Sequence, residues 1–181
     1  LDECAKTIFE RRTKAVEQLL PLVERYYALL SSDREQIGMQ YRSDLQEGTM
    51  ADMLLASRRK DFINEHTTVG VHRDDVIFTI AEYPLRKFGS QGQQKSFLVA
   101  LKLAEYTLLA EHNNEKPILL LDDLFDKLDM GRVAQLLRLV GSEMFGQIFI
   151  TDCNKHRLQR TLSEAGAEYK LFTIAEGKHH E

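Results

Sequence analysis

Cysteine is scarce in this chain of 181 residues: the two present, Cys4 and Cys153, lie far apart and form no CxxC pair. That excludes a zinc ribbon and a disulfide framework, and makes reduced thiols in a cytoplasm the expectation. Long apolar runs are missing too. No stretch approaches the roughly 20 residues of a membrane span, and no signal-peptide pattern opens the chain. Positive charge is in short supply, since 24 Lys and Arg against 28 Asp and Glu give a net charge of -4. A protein dominated by a basic DNA-binding face is thereby excluded, although Arg11, Arg12 and Lys14, or Arg58, Arg59 and Lys60, can act locally. The chain has no internal repeat, no low-complexity segment and no GxxxxGK(S/T) phosphate loop.

What is present is a 43% hydrophobic share, enough for the core of one good-sized domain, or of one domain plus a small lobe. The start at Leu1 rather than Met leads us to expect a fragment. From Cys4 to Leu30, apolar residues recur at three and four, which predicts a helix with a bend or restart at Pro21. Ile37, Met39 and Tyr41 alternate with polar residues and predict a short strand. Thr49 with Asp52 then predicts a capped helix to about Asn64. Val76 to Ala81 and Leu85 to Phe88 read as two strands joined through Tyr83-Pro84. After them come a helix from Gln91 to about His112, a strand at Ile118, a helix Met130 to Val140, a strand Gln147 to Thr151, a helix Lys155 to Ser163 and a strand Tyr169 to Ile174. This alternation predicts an α/β fold with a mostly parallel sheet and flanking helices.

Two stretches carry chemistry. Ile118 to Leu121 is apolar without a break and reads as a strand buried on both faces, with Asp122 and Asp123 at its carboxyl end. Adjacent carboxylates repel unless a cation or donors sit nearby, so a metal is the simple explanation and a solvated loop the plain one. Gly89-Ser90-Gln91-Gly92-Gln93-Gln94-Lys95-Ser96 leads into a helix whose Phe97, Leu101, Ala104 and Leu108 share one face. It is no phosphate loop, because Gln94 stands where glycine must precede Lys. Ser90, the Gly92 N–H and the helix start can donate to an anion, or Ser90 can be an ordinary cap. Asp129 precedes a helix and would cap it in any fold. His72, Arg73, Asp74 and Asp75 read equally as a catalytic cluster or a polar turn.

These residues resemble the ABC-type ATPases of DNA maintenance, and among them the RecF family. Ser90-Gln91-Gly92-Gln93-Gln94 is similar to the ABC signature, Ile118 to Asp123 to a Walker B strand, Asp126-Lys127-Leu128-Asp129 to the D-loop, and Gly70 to Asp75 to another RecF-typical segment. The resemblance covers about residues 60 to 155. Val71 stands where such chains usually carry proline, and Asp126 where they carry serine.

The resemblance implies the carboxyl-terminal part of an ATPase head at 67–181 and a helical arm lobe at 1–66. It implies ATP and Mg²⁺ as cofactors, both requiring an amino-terminal portion with the P-loop, so that the fragment alone is expected to be inactive. Asp122 would hold Mg²⁺ mainly through water, and Asp123 would orient or deprotonate the attacking water. Ser90, Gln91, Gly92 and Gln93 would meet ATP bound by the opposite subunit of an ATP-dependent homodimer. Asp129 would serve in the D-loop. Asp152 stands at a switch position, where capping of the next helix by Asp152 or Asn154 competes. Implied partners are DNA with duplex beside single-stranded gaps, RecR and RecO, and indirectly RecA. A metal-dependent phosphohydrolase, or a non-enzymatic DNA-docking or dimerisation module, are the alternatives.

Overall fold

The apolar stripe near the amino end folds as one unbroken helix, α1, from Asp2 to Ser31. The computed structural model describes residues 1–31, 35–123, 128–164, 166, 168–175 and 178–180. Of the bend or restart expected at Pro21, the restart does not occur: α1 runs through the proline, which lies on its exposed side. An interior proline costs about 3 kcal/mol, and Val23, Tyr26, Tyr27 and Leu30, all buried just beyond it, offset that cost. Each such side chain contributes about 1.5–3 kcal/mol on burial.

The described residues fall into two units, Leu1–Glu105 and Tyr106–Glu181. In the first, strands β1 (Ile37–Arg42), β2 (Asp75–Ile80) and β3 (Tyr83–Pro84) form an antiparallel sheet in that order, with Met39 opposite Phe78 and Tyr41 opposite Val76. Thus β1, from within residues 1–66, pairs along its whole length with a strand beyond them. Ala81 and Glu82 make the tight turn between β2 and β3 with φ of 45° and 68°, the left-handed geometry that two-residue hairpins need. Helix α2 spans Met50–Asn64, and Thr49 Oγ1 accepts the Asp52 N–H at 3.2 Å. The expected second strand at Leu85 to Phe88 is instead one helical turn, α3 (Leu85–Phe88). Pro84 ends the ladder for want of an N–H. The Gly89 N–H then closes on the Leu85 carbonyl at 2.9 Å while the Leu85 side chain is buried. Helix α4 (Gln91–Asn113) follows; Phe97 packs its ring 4.9 Å from Phe78 and 6.2 Å from Tyr27.

In the second unit, β4 (Leu119–Leu121) and β5 (Ile148–Ile150) pair in parallel, Leu119 opposite Ile148 and Leu121 opposite Ile150. Between them runs α5 (Met130–Val140), whose Val133, Leu136, Leu137 and Val140 are buried; α6 (Lys155–Glu164) buries Leu158, Thr161 and Leu162. The strand expected from Tyr169 is shorter: β6 (Thr173–Ala175) pairs antiparallel with β7 (Lys178–His180). The α/β class holds, with its parallel pair at β4 and β5. One expectation fails at β4, which is buried on one face only. Leu119 and Leu121 point inward, whereas Leu120 is 70% exposed and shares its open face with Ile118 and Phe149. Burial of a strand's second face depends on what covers it, and apolar content alone cannot supply the cover.

Candidate nucleotide site

The parallel register brings the ends of β4 and β5 level, since the Thr151 N–H donates to the Leu121 carbonyl at 3.0 Å. Asp122, Asp123 and Thr151 therefore meet at one strand edge, where ligands of α/β sheets collect. The Thr151 hydroxyl donates to Asp122 Oδ1 in a short hydrogen bond, and its oxygen accepts the Asp123 N–H at 3.2 Å. Asp123 takes a left-handed φ of 47°, which turns the chain as it leaves the strand; aspartate tolerates this better than most residues. Both carboxylates are exposed, and among the described residues neither has a cationic partner. Thr151 was not among the site residues read from the sequence. The signal for it is a hydroxyl at the carboxyl end of the neighbouring parallel strand.

The start of α4 is built as a reciprocal cap. Ser90 Oγ accepts the Gln93 N–H at 3.2 Å, and Gln93 Oε1 accepts the Ser90 N–H at 2.7 Å, the Ser-x-x-Gln form of the capping box. Gln94 Nε2 reaches back to the Gly89 carbonyl at 2.8 Å. Gly89 must lack a side chain, because a Cβ there would lie 2.7 Å from the Leu85 carbonyl oxygen. Ser90 is thus a helix cap, as the plain reading had it. Its hydroxyl hydrogen has no acceptor among the described residues, and a hydroxyl can accept and donate at once.

Of the segment 72–75, Asp74 alone turns inward. Its Oδ2 accepts from Arg12 at 2.7 Å and from the Tyr41 hydroxyl at 2.5 Å, with the Asp74 side chain 2% exposed. Arg12 also donates to the Val71 carbonyl at 2.5 Å. The hydrogen bond to Asp74 raises the Arg12 pKa above its ordinary value, and burial, followed by the Asp74 contact, raises that of Tyr41. This geometry ties α1 and β1 to the turn before β2 and reads as structural. His72, Arg73 and Asp75 are exposed.

Asp129 caps α5 through the Arg132 N–H at 2.9 Å. Of the D-loop residues, Asp126 and Lys127 lie outside the described residues. Asp152 accepts the Asn154 N–H at 2.6 Å and faces Arg157 at 3.7 Å, while Asn154 caps α6 through the Arg157 N–H at 3.0 Å. A switch residue at Asp152 would have to exchange these partners. Ser90 to Gln93 belong to the first unit, and Asp122, Asp123, Asp129 and Asp152 to the second.

A parallel strand pair whose first strand ends in two acids, with a capped glycine-flanked helix start in the same chain, is consistent with the carboxyl-terminal part of an ABC-type ATPase head. No protein-family model matches the chain. RecF of Bacteroides thetaiotaomicron, a DNA replication and repair protein, is 39% identical over 175 residues, 97% of this chain and 47% of the relative. RecF of Parabacteroides distasonis is 42% identical over 171 residues, 94% of this chain and 47% of the relative. A solved structure of the recombination mediator protein RecF with ATPrS, of the RecFOR pathway, matches with a TM-score of 0.72 at 26% identity, covering 98% of this chain and 47% of that one. The corresponding RecF structure with ATP matches with a TM-score of 0.67 at 28% identity, covering 86% of this chain and 43% of that one. The chain is a homologue of RecF and spans about half the length of the curated relatives it matches.

Proposed function

We propose that this chain is the carboxyl-terminal portion of a RecF-like, ATP-dependent DNA-binding protein of recombinational repair and replication-fork maintenance. Residues 1–66 form its arm and 67–181 part of its ATPase head. The observation that carries this reading is the presence, in one RecF homologue, of both the capped Ser90–Gln93 helix start and, separately, Asp122 and Asp123 at a parallel strand edge. The open face of Ile118, Leu120 and Phe149 supports it, because further layers of a complete head would cover such a face.

The residues fit Mg²⁺, which commonly takes only one or two carboxylates and completes its shell with phosphate oxygens and water. When bound, the ion neutralises phosphate charge. Asp122, steadied by Thr151, would hold it mainly through water. Asp123 orients or deprotonates the attacking water. The Ser90 hydroxyl donates to a phosphate of ATP held by the P-loop of an opposite subunit, beside Gln91, Gly92 and Gln93, so ATP drives a homodimer. Asp129 in the D-loop lies near that seam. The dimer marks duplex DNA beside single-stranded gaps and, with RecO and RecR, helps load RecA.

In the full-length protein, Asp123→Asn is expected to keep ATP binding and ATP-driven dimers while turnover falls by about 10²-fold or more; unchanged turnover removes Asp123 from the mechanism. Ser90→Arg is expected to leave monomer ATP binding intact and abolish ATP-driven dimers. Sedimentation showing wild-type dimer levels for Ser90→Arg would sink the trans-acting role.

A further inference from the structure

The amide of Gln93 is held at both ends. Its Oε1 accepts the Ser90 N–H, and its Nε2 donates at 2.7 Å to Glu35 Oε1, 58 residues away in sequence. The other Glu35 oxygen accepts the hydroxyl of Tyr27 at 2.5 Å, and Tyr27 is fully buried in α1. A capping box needs only the Gln93 oxygen. The carboxylate adds something a cap does not: being an acceptor only, it compels the Gln93 nitrogen to face Glu35 and the oxygen to face Ser90. With the amide reversed, two donors would meet at Ser90 and two acceptors at Glu35.

We propose that Glu35 is a positioning residue of the composite ATP site: by orienting the Gln93 amide it holds the Ser90 turn in its phosphate-facing form, and through Tyr27 it ties that form to α1. This rests on the reading that Ser90 to Gln93 meet the nucleotide. Any ligand or partner that displaces the Tyr27 end of α1 then loosens the signature turn without touching it.

The bridge lines a cleft of about 850 Å³ with Glu24, Ile37, Ile80 and Phe88, so water competes with it. The effect of its loss belongs at the low end for a hydrogen bond to a charged group, about tenfold. In the full-length protein, Glu35→Ala is expected to weaken ATP-driven dimerisation and turnover about tenfold with monomer ATP affinity retained. Glu35→Gln, which keeps an acceptor, should recover most of this. Tyr27→Phe should give the same split more weakly, and it serves as the test if Glu35→Ala does not fold.

A double-mutant cycle with Gln93→Ala decides whether Glu35 acts through Gln93. Non-additive losses support the proposal; additive losses, or wild-type dimerisation in Glu35→Ala, overturn it. Ser90→Arg run alongside separates the two failures. If Ser90→Arg abolishes dimers and Glu35→Ala leaves them unchanged, Glu35 alone is wrong. If neither affects them, the signature reading falls first.

Discussion

Replacing Thr151 by valine removes one hydroxyl and almost nothing else. Valine has the same branched shape and suits the end of a strand, so β5 should keep its register with β4. What is lost is a bridge: the hydroxyl donates to Asp122 and accepts from the Asp123 N–H at 3.2 Å. A hydrogen bond to a carboxylate is worth about 1.5–3 kcal/mol and a neutral one about 1 kcal/mol. Both acids and Thr151 are exposed, so water takes up most of the loss. Folding stability should therefore fall by less than about 1 kcal/mol. The functional effect should be larger, because hydrogen bonds behind a metal-facing carboxylate set its direction, and their removal typically costs about 10–100-fold in metal affinity or activity. The assay is steady-state ATP turnover of the full-length protein across a Mg²⁺ titration, with thermal unfolding as the control. Thr151→Val should require more Mg²⁺ and turn over about 10–100-fold less, and Thr151→Ser should restore both. A Thr151→Val protein with wild-type turnover and an unchanged Mg²⁺ requirement would show that Thr151 does not orient Asp122.

Arg12→Met should destabilise the fold by about 1–2 kcal/mol, a charged hydrogen bond discounted for a guanidinium that is 48% exposed. Urea unfolding of this chain measures it, and a loss below about 0.5 kcal/mol would mean that Arg12 adds little to the hydrogen bond that Tyr41 gives Asp74 Oδ2. Asp61 accepts from Thr68 Oγ1 at 2.7 Å, the Thr68 N–H at 2.9 Å and Ser57 Oγ at 2.8 Å, and these bonds, led by the Thr68 hydroxyl, lower its pKa below the ordinary 3.8. A lowered carboxylate pKa stabilises the fold above the unfolded value and loses that contribution as pH falls through the folded one. The stability gap between wild type and Asp61→Asn should thus be constant near neutrality and close as pH drops below 3.8; a gap that stays open in acid would argue against an ionised Asp61 as its source.

Helix α5 was legible because its signals are local: Asp129 caps it, and Val133, Leu136, Leu137 and Val140 recur on one face. The same holds for Thr49 and Asp52 at the head of α2. Leu85 to Phe88 was not legible, since four residues with apolar ends fit a strand or one helical turn equally well. The choice was made by Pro84 and by burial of Leu85, which is a tertiary matter. For the proposed site, the spacing of Ser90 to Gln93 and the acids after Leu121 are features the sequence displays directly. The groups that hold them are not. Thr151 reaches Asp122 across 29 residues and Glu35 reaches Gln93 across 58, and a threonine after a strand or a glutamate before one carries no mark of its partner. A group that must meet phosphate is confined to a few residue types at a fixed local spacing. A group that steadies it needs only one acceptor or one hydroxyl delivered from whatever element lies nearby, so its identity follows from packing, and only the folded chain reveals it.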